Sequence, residues 1–284
     1  MYTVSEGKIK LEHGTISEGL IAIASGKGGV GKSTVTANLA VALQKQGKQV
    51  GIIDADVHGF SIPRIIGLEE QVKVEQESEL IHPAEKMGVK VISMGSFVHE
   101  QNPVIWRSPL LLGALQQFFK DVIWGDLDYL LLDLPPGTGD MSLNIMQKLP
   151  HARTLIVTTP QITATNVAGR VGHMAEKMDS DILGIIENMA YYECSECGNK
   201  EYIFGQGGGK KLADLLDVDL LGQLPLMTHV REGGDEGNPV VKKDSDDDVS
   251  QEFLKIAQEV IDRKKEFDPS LKPMNLKGGP GENQ

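Results

Sequence analysis

Residues 26 to 34, Gly26-Lys27-Gly28-Gly29-Val30-Gly31-Lys32-Ser33-Thr34, fit the phosphate-binding pattern G-x-x-x-x-G-K-[ST]. Glycines let such a loop curl so that its backbone N–H groups converge, and a helix starting there adds about half a positive charge. On this pattern Lys32 reaches the β- and γ-phosphates of a nucleotide and the Ser33 hydroxyl ligates Mg²⁺. Phosphoryl transfer also needs the metal held, the nucleophile oriented and charge neutralised. Carboxylates for that work stand at the ends of two apolar runs. Asp133 ends Tyr129-Leu130-Leu131-Leu132 and precedes Leu134-Pro135-Pro136-Gly137-Thr138-Gly139-Asp140, a position suited to binding Mg²⁺ through water. The backbone of Gly137 is then placed to sense the γ-phosphate. Asp54-Ala55-Asp56 closes the second run, Gln49 to Ile53.

A different chemistry is written in Cys194-Ser195-Glu196-Cys197. Two thiolates at C-x-x-C spacing can grip one metal, but zinc and iron–sulfur clusters want four ligands. The chain holds only 2 cysteines, and its 7 histidines are scattered without ligand spacing. Either histidines complete the site or two chains do, since a two-fold dimer brings four thiolates to its axis. A redox dithiol is the other reading of the spacing.

The elements that must position these groups follow from periodicity. Buried strands are expected at residues 20–24, 49–54, 89–93, 129–133, 154–158, 181–187 and 220–224. Helix faces are marked by Val35, Leu39 and Leu43; by Leu111, Leu115, Phe118, Phe119 and Val122; by Met141, Ile145 and Leu149; by Val167, Val171, Met174 and Met178; and by Phe253, Ile256, Ala257 and Val260. Strands alternating with helices predict an α/β fold, a mostly parallel sheet of about seven strands flanked by helices on both faces. Ligands of such sheets gather at the carboxyl ends of the strands, where Gly26, Asp54 and Asp133 all fall. Residues 57–88 read as irregular, and Gly205-Gln206-Gly207-Gly208-Gly209-Lys210 as a flexible connector before a helix. We expect a short arm or small hairpin over 1–19, one domain over 20–266 and a flexible tail over 267–284.

Composition narrows the function classes. A formal net charge of −12 opposes nonspecific nucleic-acid binding and attraction to anionic membranes. No apolar run reaches membrane-span length, and Glu6, Lys8, Lys10, Glu12 and His13 leave no signal-peptide core, so a cytoplasmic protein is expected. Cys194 and Cys197 are then not expected to form a structural disulfide.

Lys27 is not required by the general phosphate pattern. A cation there cannot easily turn inward within its own loop, which points to a neighbouring subunit's nucleotide. Lys27-Gly28-Gly29-Val30-Gly31-Lys32-Ser33 resembles the deviant Walker A motif K-G-G-x-G-K-[ST], whose first lysine crosses a dimer interface to the partner's ATP. That resemblance implies that Asp56 orients the attacking water, that Asp54 supports the metal, that Asn188 recognises adenine, and that Leu224-Pro225 offers backbone groups to the base. More of the chain is similar to the Mrp/ApbC family of iron–sulfur cluster carrier ATPases. The similarity lies in residues 21–43, 54–61, Trp106-Arg107-Ser108-Pro109, 124–140, Asn188-Met189 through Cys194 and Cys197, Phe204 to Gly209, and Val230-Arg231-Glu232-Gly233-Gly234-Asp235. It covers roughly residues 18 to 262. It implies a homodimer that shares a [4Fe–4S] cluster across its interface, hands it to apo iron–sulfur proteins, and binds and slowly hydrolyses ATP. Many bacterial members carry an extra N-terminal domain, whereas about nineteen residues precede the first strand here, which leaves that domain's targeting role in question. Two alternatives share the lysine-rich loop. A partition or septum-placement ATPase needs a DNA-binding surface or a membrane-anchoring helix. A zinc-bridged targeting ATPase needs a large apolar, often methionine-rich insertion for its client. Neither feature is visible.

Overall fold

The computed structural model describes residues 2–57, 59–69, 72–97, 108–137, 139–177, 180–194, 196–242, 247–271 and 273. His58, Trp106, Arg107, Thr138, Met178 and Ser195, and 274–284 of the expected tail, lie outside the described residues. In chain order the elements are β1 (Thr3–Ser5), β2 (Lys8–Leu11), β3 (Gly14–Ser25), α1 (Lys32–Lys45), β4 (Val50–Asp54), α2 (Ile62–Ile66), β5 (Lys73–Val74), β6 (Ile81–His82), β7 (Ala84–Lys86) and β8 (Val89–Ser93). Then come α3 (Ser108–Lys120), β9 (Gly125–Asp133), α4 (Asp140–Lys148), β10 (Ala152–Thr158), α5 (Ile162–Lys177) and β11 (Ile182–Glu187). The chain finishes with β12 (Tyr192–Glu193), β13 (Lys200–Glu201), α6 (Gly208–Leu216), β14 (Leu220–Gln223), α7 (Thr228–Asp235) and α8 (Asp248–Asp262).

Seven strands run parallel in the order β14-β11-β10-β3-β9-β4-β8, the seven expected from the sequence. Three more, β7 and the β1–β2 hairpin, extend the sheet in antiparallel pairing. Both faces are covered, so side chains alternate between two cores. Leu20, Ala22, Leu130, Leu132 and Ile156 face one side and pack with residues of α3, α4, α5 and α6. Ile21, Ile23, Leu131, Leu155 and Val157 face the other and pack with α1, α2 and α8. α1 is buried over Val35–Leu43, which is why its sequence is apolar nearly all round.

Residues 1–19 hold the small hairpin, β1 paired antiparallel with β2, and it joins the main sheet because β3 begins at Gly14 and β2 pairs with its first residues. Two sequence expectations need correction. Residue 267 does not open a loose tail. Phe267 is buried with its ring against His151, whose Nε2 donates to the Asp268 carbonyl at 2.7 Å while its Nδ1 accepts from the Tyr2 hydroxyl at 3.0 Å. Residues 57–88 hold α2 and the short strands β5, β6 and β7, each too brief to print a period.

Candidate nucleotide and metal site

Register brings the strand-end groups together. Asp54 and Asp133 are partners across β4 and β9, and Asp133 pairs with Ile23 just before the glycine loop. Gly31, at φ 81, takes the left-handed conformation that turns the loop into α1, so Lys32 and Ser33 open that helix. At Gly26 a Cβ would stand 2.5 Å from the Ala168 backbone nitrogen, so only glycine lets α5 approach the loop.

Asp133 is the hub. Its fully buried carboxylate lies 2.8 Å from the Lys32 ammonium and accepts hydrogen bonds from Ser33 Oγ at 2.5 Å and Thr36 Oγ1 at 2.8 Å. Asp56 Oδ2 stands 3.7 Å from the same ammonium. Asp54 accepts from Ser93 Oγ at 3.1 Å and from the Asp56 backbone N–H at 3.3 Å. Burial, and then the negative charge of Asp133, push the Asp54 carboxyl up to about 8. Asp133 and Asp56 thus share one ammonium, and Asp54 beside them keeps its proton up to about pH 8. The remaining negative charge beside the Ser33 hydroxyl fits a divalent cation, which Ser33, Asp133 and, on losing its proton, Asp54 could hold. Thr36 and Ser93 were missed in the sequence. Thr36 follows Lys32 by four residues, one helical turn, and that spacing was the available signal. Ser93 ends β8 beside β4, which is visible only from strand order.

Lys27, Asn188 and Pro225 line a cleft made of two adjoining cavities. Its phosphate end, about 350 Å³, is lined by Lys27 to Thr34, Asp56 and Pro136. Its larger end, about 660 Å³, is walled by Asn188, Met189, Leu224, Pro225 and Phe253 and shares Gly31 and Thr34 with the first. Asn188 donates its side-chain amide to the Val30 carbonyl at 2.8 Å, so it also braces the glycine loop. The Gly137 N–H is engaged by the Ser25 carbonyl at 2.8 Å, so a γ-phosphate could reach it only by breaking that bond. The Lys27 ammonium is held by Gln161 Oε1 at 2.8 Å, just before α5.

The two cysteines sit on the β12–β13 hairpin, Cys194 half-buried and Cys197 exposed, both as free thiols. The backbone N–H groups of Glu196 and Cys197, and then the Cys197 thiol, hold the Cys194 thiol below its usual range. Such N–H groups converging on a sulfur favour a thiolate, the form that binds metal. Among the described residues no group of three or more His, Cys, Asp and Glu side chains is arranged to hold a metal. The alternative in which this chain's own histidines complete the cysteine site therefore finds no support there. The hairpin is tied to the cleft: Leu226 N–H donates to the Tyr191 carbonyl at 2.7 Å and Ala190 N–H to the Leu224 carbonyl at 2.9 Å.

Glu187, which ends β11, was also missed. Its buried carboxylate accepts from Gly209 N–H at 2.6 Å and from the Gln223 side-chain amide, pinning the first turn of α6. The glycines of 205–210 are therefore not a flexible connector. Gly207, at φ 72, caps α6, and Gly208 and Gly209 are buried inside it; a Cβ at Gly209 would stand 2.7 Å from Glu187 Cβ. Glu187→Ala is expected to lower stability by about 2 kcal/mol, because two donors lose their acceptor. Urea unfolding checks this, and an unchanged midpoint would contradict it.

Comparison with known proteins gives the same outline. The chain is 54% identical over 206 residues to the iron-sulfur cluster carrier protein of Bacillus subtilis, covering 72% of this chain and 58% of that protein. It is 43% identical over 262 residues to the iron-sulfur cluster carrier protein of Methanocaldococcus jannaschii, covering 92% and 88%. The chain spans 58%, 65% and 64% of the B. subtilis, Haemophilus influenzae and Mycobacterium leprae proteins, so it matches only part of these longer relatives. A nucleotide-binding protein from Archaeoglobus fulgidus, solved with ADP, superposes with a TM-score of 0.68 at 43% identity over 78% of this chain and 86% of that one. The septum site-determining protein MinD of Pyrococcus horikoshii, solved with Mg-ADP, gives 0.63 at 28% over 85% and 95%. Residues 17–261 match the ParA family described as the NUBPL iron-transfer P-loop NTPase, and the chain belongs to that family.

Proposed function

We propose that this protein is an ATP-binding and ATP-hydrolysing iron–sulfur cluster carrier. Two copies hold one [4Fe–4S] cluster between their Cys194–Cys197 hairpins and pass it to apo iron–sulfur proteins. The observation that carries this reading is an exposed two-thiol hairpin, with no further ligand group among the described residues, hydrogen-bonded to the wall of a P-loop cleft. Two thiols per chain are half of what a cluster needs, so a second copy supplies the rest. The names of the relatives support the cargo. The ADP-bound neighbour and the charge surplus around Asp133 support MgATP as the nucleotide. Lys32 and the loop N–H groups would bind the phosphates, Ser33, Asp133 and Asp54 the metal, and Asn188 and Pro225 the base. A reducing compartment such as the cytoplasm keeps both thiols available.

Anaerobic reconstitution with iron and sulfide tests this directly. Iron and sulfide in equal amounts, on a species of dimer mass, are expected. A protein that stays monomeric with ATP present and takes up no sulfide overturns the reading. Within the same site, Asp56 borders the phosphate end of the cleft close to Lys32, where it would orient the attacking water. Asp56→Ala should retain ATP affinity yet lose about 10²-fold or more in turnover. Unchanged single-turnover hydrolysis would remove Asp56 from that role.

A further inference from the structure

The thiol hairpin runs directly into a turn whose residues are the wrong kind for a turn. Gly205 N–H donates to the Tyr202 carbonyl at 3.0 Å, and Gly205, at φ 88, closes the reversal. The two central positions of such a turn favour glycine, proline, asparagine, aspartate or serine. Here they are Ile203 and Phe204; Ile203 is 57% exposed, and Tyr202 before it is 46% exposed. Nothing in the local fold calls for an isoleucine in water at that place. The patch is also held firmly. Tyr202 meets the Tyr191 ring edge-on with centroids 6.3 Å apart, and the Lys200 ammonium sits 4.2 Å over the same ring. Before the patch, the Tyr191 carbonyl accepts from Leu226 N–H; after it, the Glu187 carboxylate accepts from Gly209 N–H. Two apolar side chains are therefore preorganised in solvent close to the sulfurs, Ile203 six residues beyond Cys197.

Charge decides what covers this patch. Glu193, Glu196 and Glu201 against Lys200 leave the hairpin two charges negative, and Lys200 is already paired with Glu193 at 3.3 Å. Around a two-fold axis these groups face their own copies and repel. Thiolates gathered on a cluster add further negative charge. Attraction between two hairpins has to come from apolar surface, and an apolar patch on a two-fold axis is complementary to itself. We propose that Tyr202 and Ile203 are the contact through which a second copy of this chain seats beside the shared cluster, and that this contact keeps water from the cluster. The inference rests on the two-copy cluster reading above and adds the surface, other than the sulfurs, that holds the copies together. Two side chains offer much less than the about 800 Å² per partner of a stable interface. The contact is too small to hold alone, so the dimer forms when cluster and apolar turn act together.

The test uses the full chain without nucleotide, together with its Ile203→Glu, Ile203→Leu and Val74→Glu variants. Val74 is the control, 51% exposed but on the separate β5–β6 pair. Sedimentation velocity gives the mass before and after anaerobic reconstitution with iron and sulfide, and visible absorption follows cluster loss to an iron chelator. The unaltered protein should be a monomer before loading and a dimer after it. Ile203→Glu should weaken the loaded dimer about 100-fold, because a two-fold interface carries the substitution twice and a buried apolar contact is worth about tenfold each time. Its cluster should pass to the chelator correspondingly faster, while Ile203→Leu and Val74→Glu should match the unaltered protein. A loaded Ile203→Glu protein with unchanged dimer mass and unchanged chelator lifetime overturns the contact and leaves the cluster reading standing. So does one that keeps both yet no longer passes its cluster to an apo iron–sulfur protein, since the patch would then dock the acceptor. A dimer that forms before loading and resists Ile203→Glu overturns it as well. Failure of the unaltered protein to take up iron and sulfide overturns both inference and reading. If Ile203→Glu does not fold, Tyr202→Glu decides the matter by the same measurements.

Discussion

Cys194→Ser is expected to abolish cluster retention, taking iron and sulfide from a full complement to background. A dimer built from the variant offers two thiolates where four are needed, and a serine hydroxyl does not replace a thiolate at neutral pH. ATP affinity should stay within about threefold, since among the described residues the substitution touches no group that lines the cleft. The measurement pairs iron and sulfide analysis with nucleotide titration on one preparation. A variant that still carries a complete cluster would show that the ligands lie elsewhere. One that loses ATP binding in parallel would show that the hairpin is part of the nucleotide site.

The second large effect concerns Lys27. Lys27→Ala should reduce ATP turnover by about 10³-fold, the scale on which a cation supplied across an interface acts. In the single chain its ammonium is held by Gln161, so action on a second copy's phosphate would require exchanging that bond. Two controls separate this from a structural role. Gln161→Ala keeps the ammonium and should leave turnover within a few-fold of normal. Mixing Lys27→Ala with Lys32→Ala chains pairs a subunit that can bind ATP with one that can donate Lys27. Recovered activity in the mixture supports action in trans. Activity that never rises above either parent argues against it.

How much of this was legible in the residues depends on the length over which a signal repeats. The seven parallel strands are mostly apolar, broken only briefly by residues such as Lys90 in β8 and Gly222-Gln223 in β14, so their positions were readable. The cleft was readable too, because the loop motif and the carboxylates at 54 and 133 follow strand ends, and a parallel sheet gathers those ends in one place. Asp133 as the hub was harder to see: its partners Ser33 and Thr36 are brought to it by α1 lying against β9, a tertiary fact. Glu187 and the glycines of 205–210 were misread for a related reason. A glycine run looks loose in a sequence, and only the buried carboxylate opposite shows why nothing larger fits at Gly209. The lysine at 27 was legible as a cation out of place, but its resting partner, Gln161, lies 134 residues away. That residues 228–235 form a helix escaped altogether, since Gly233 and Gly234 break any helical pattern in the sequence.

The thiol hairpin has very short strands, two residues on each side, and backbone bonds at Leu224 and Leu226 fasten it to the body. Leu224 and Leu226 also line the larger end of the cleft. The sulfurs are therefore anchored to the cleft wall through main-chain bonds, an attachment that no side-chain substitution in that wall removes.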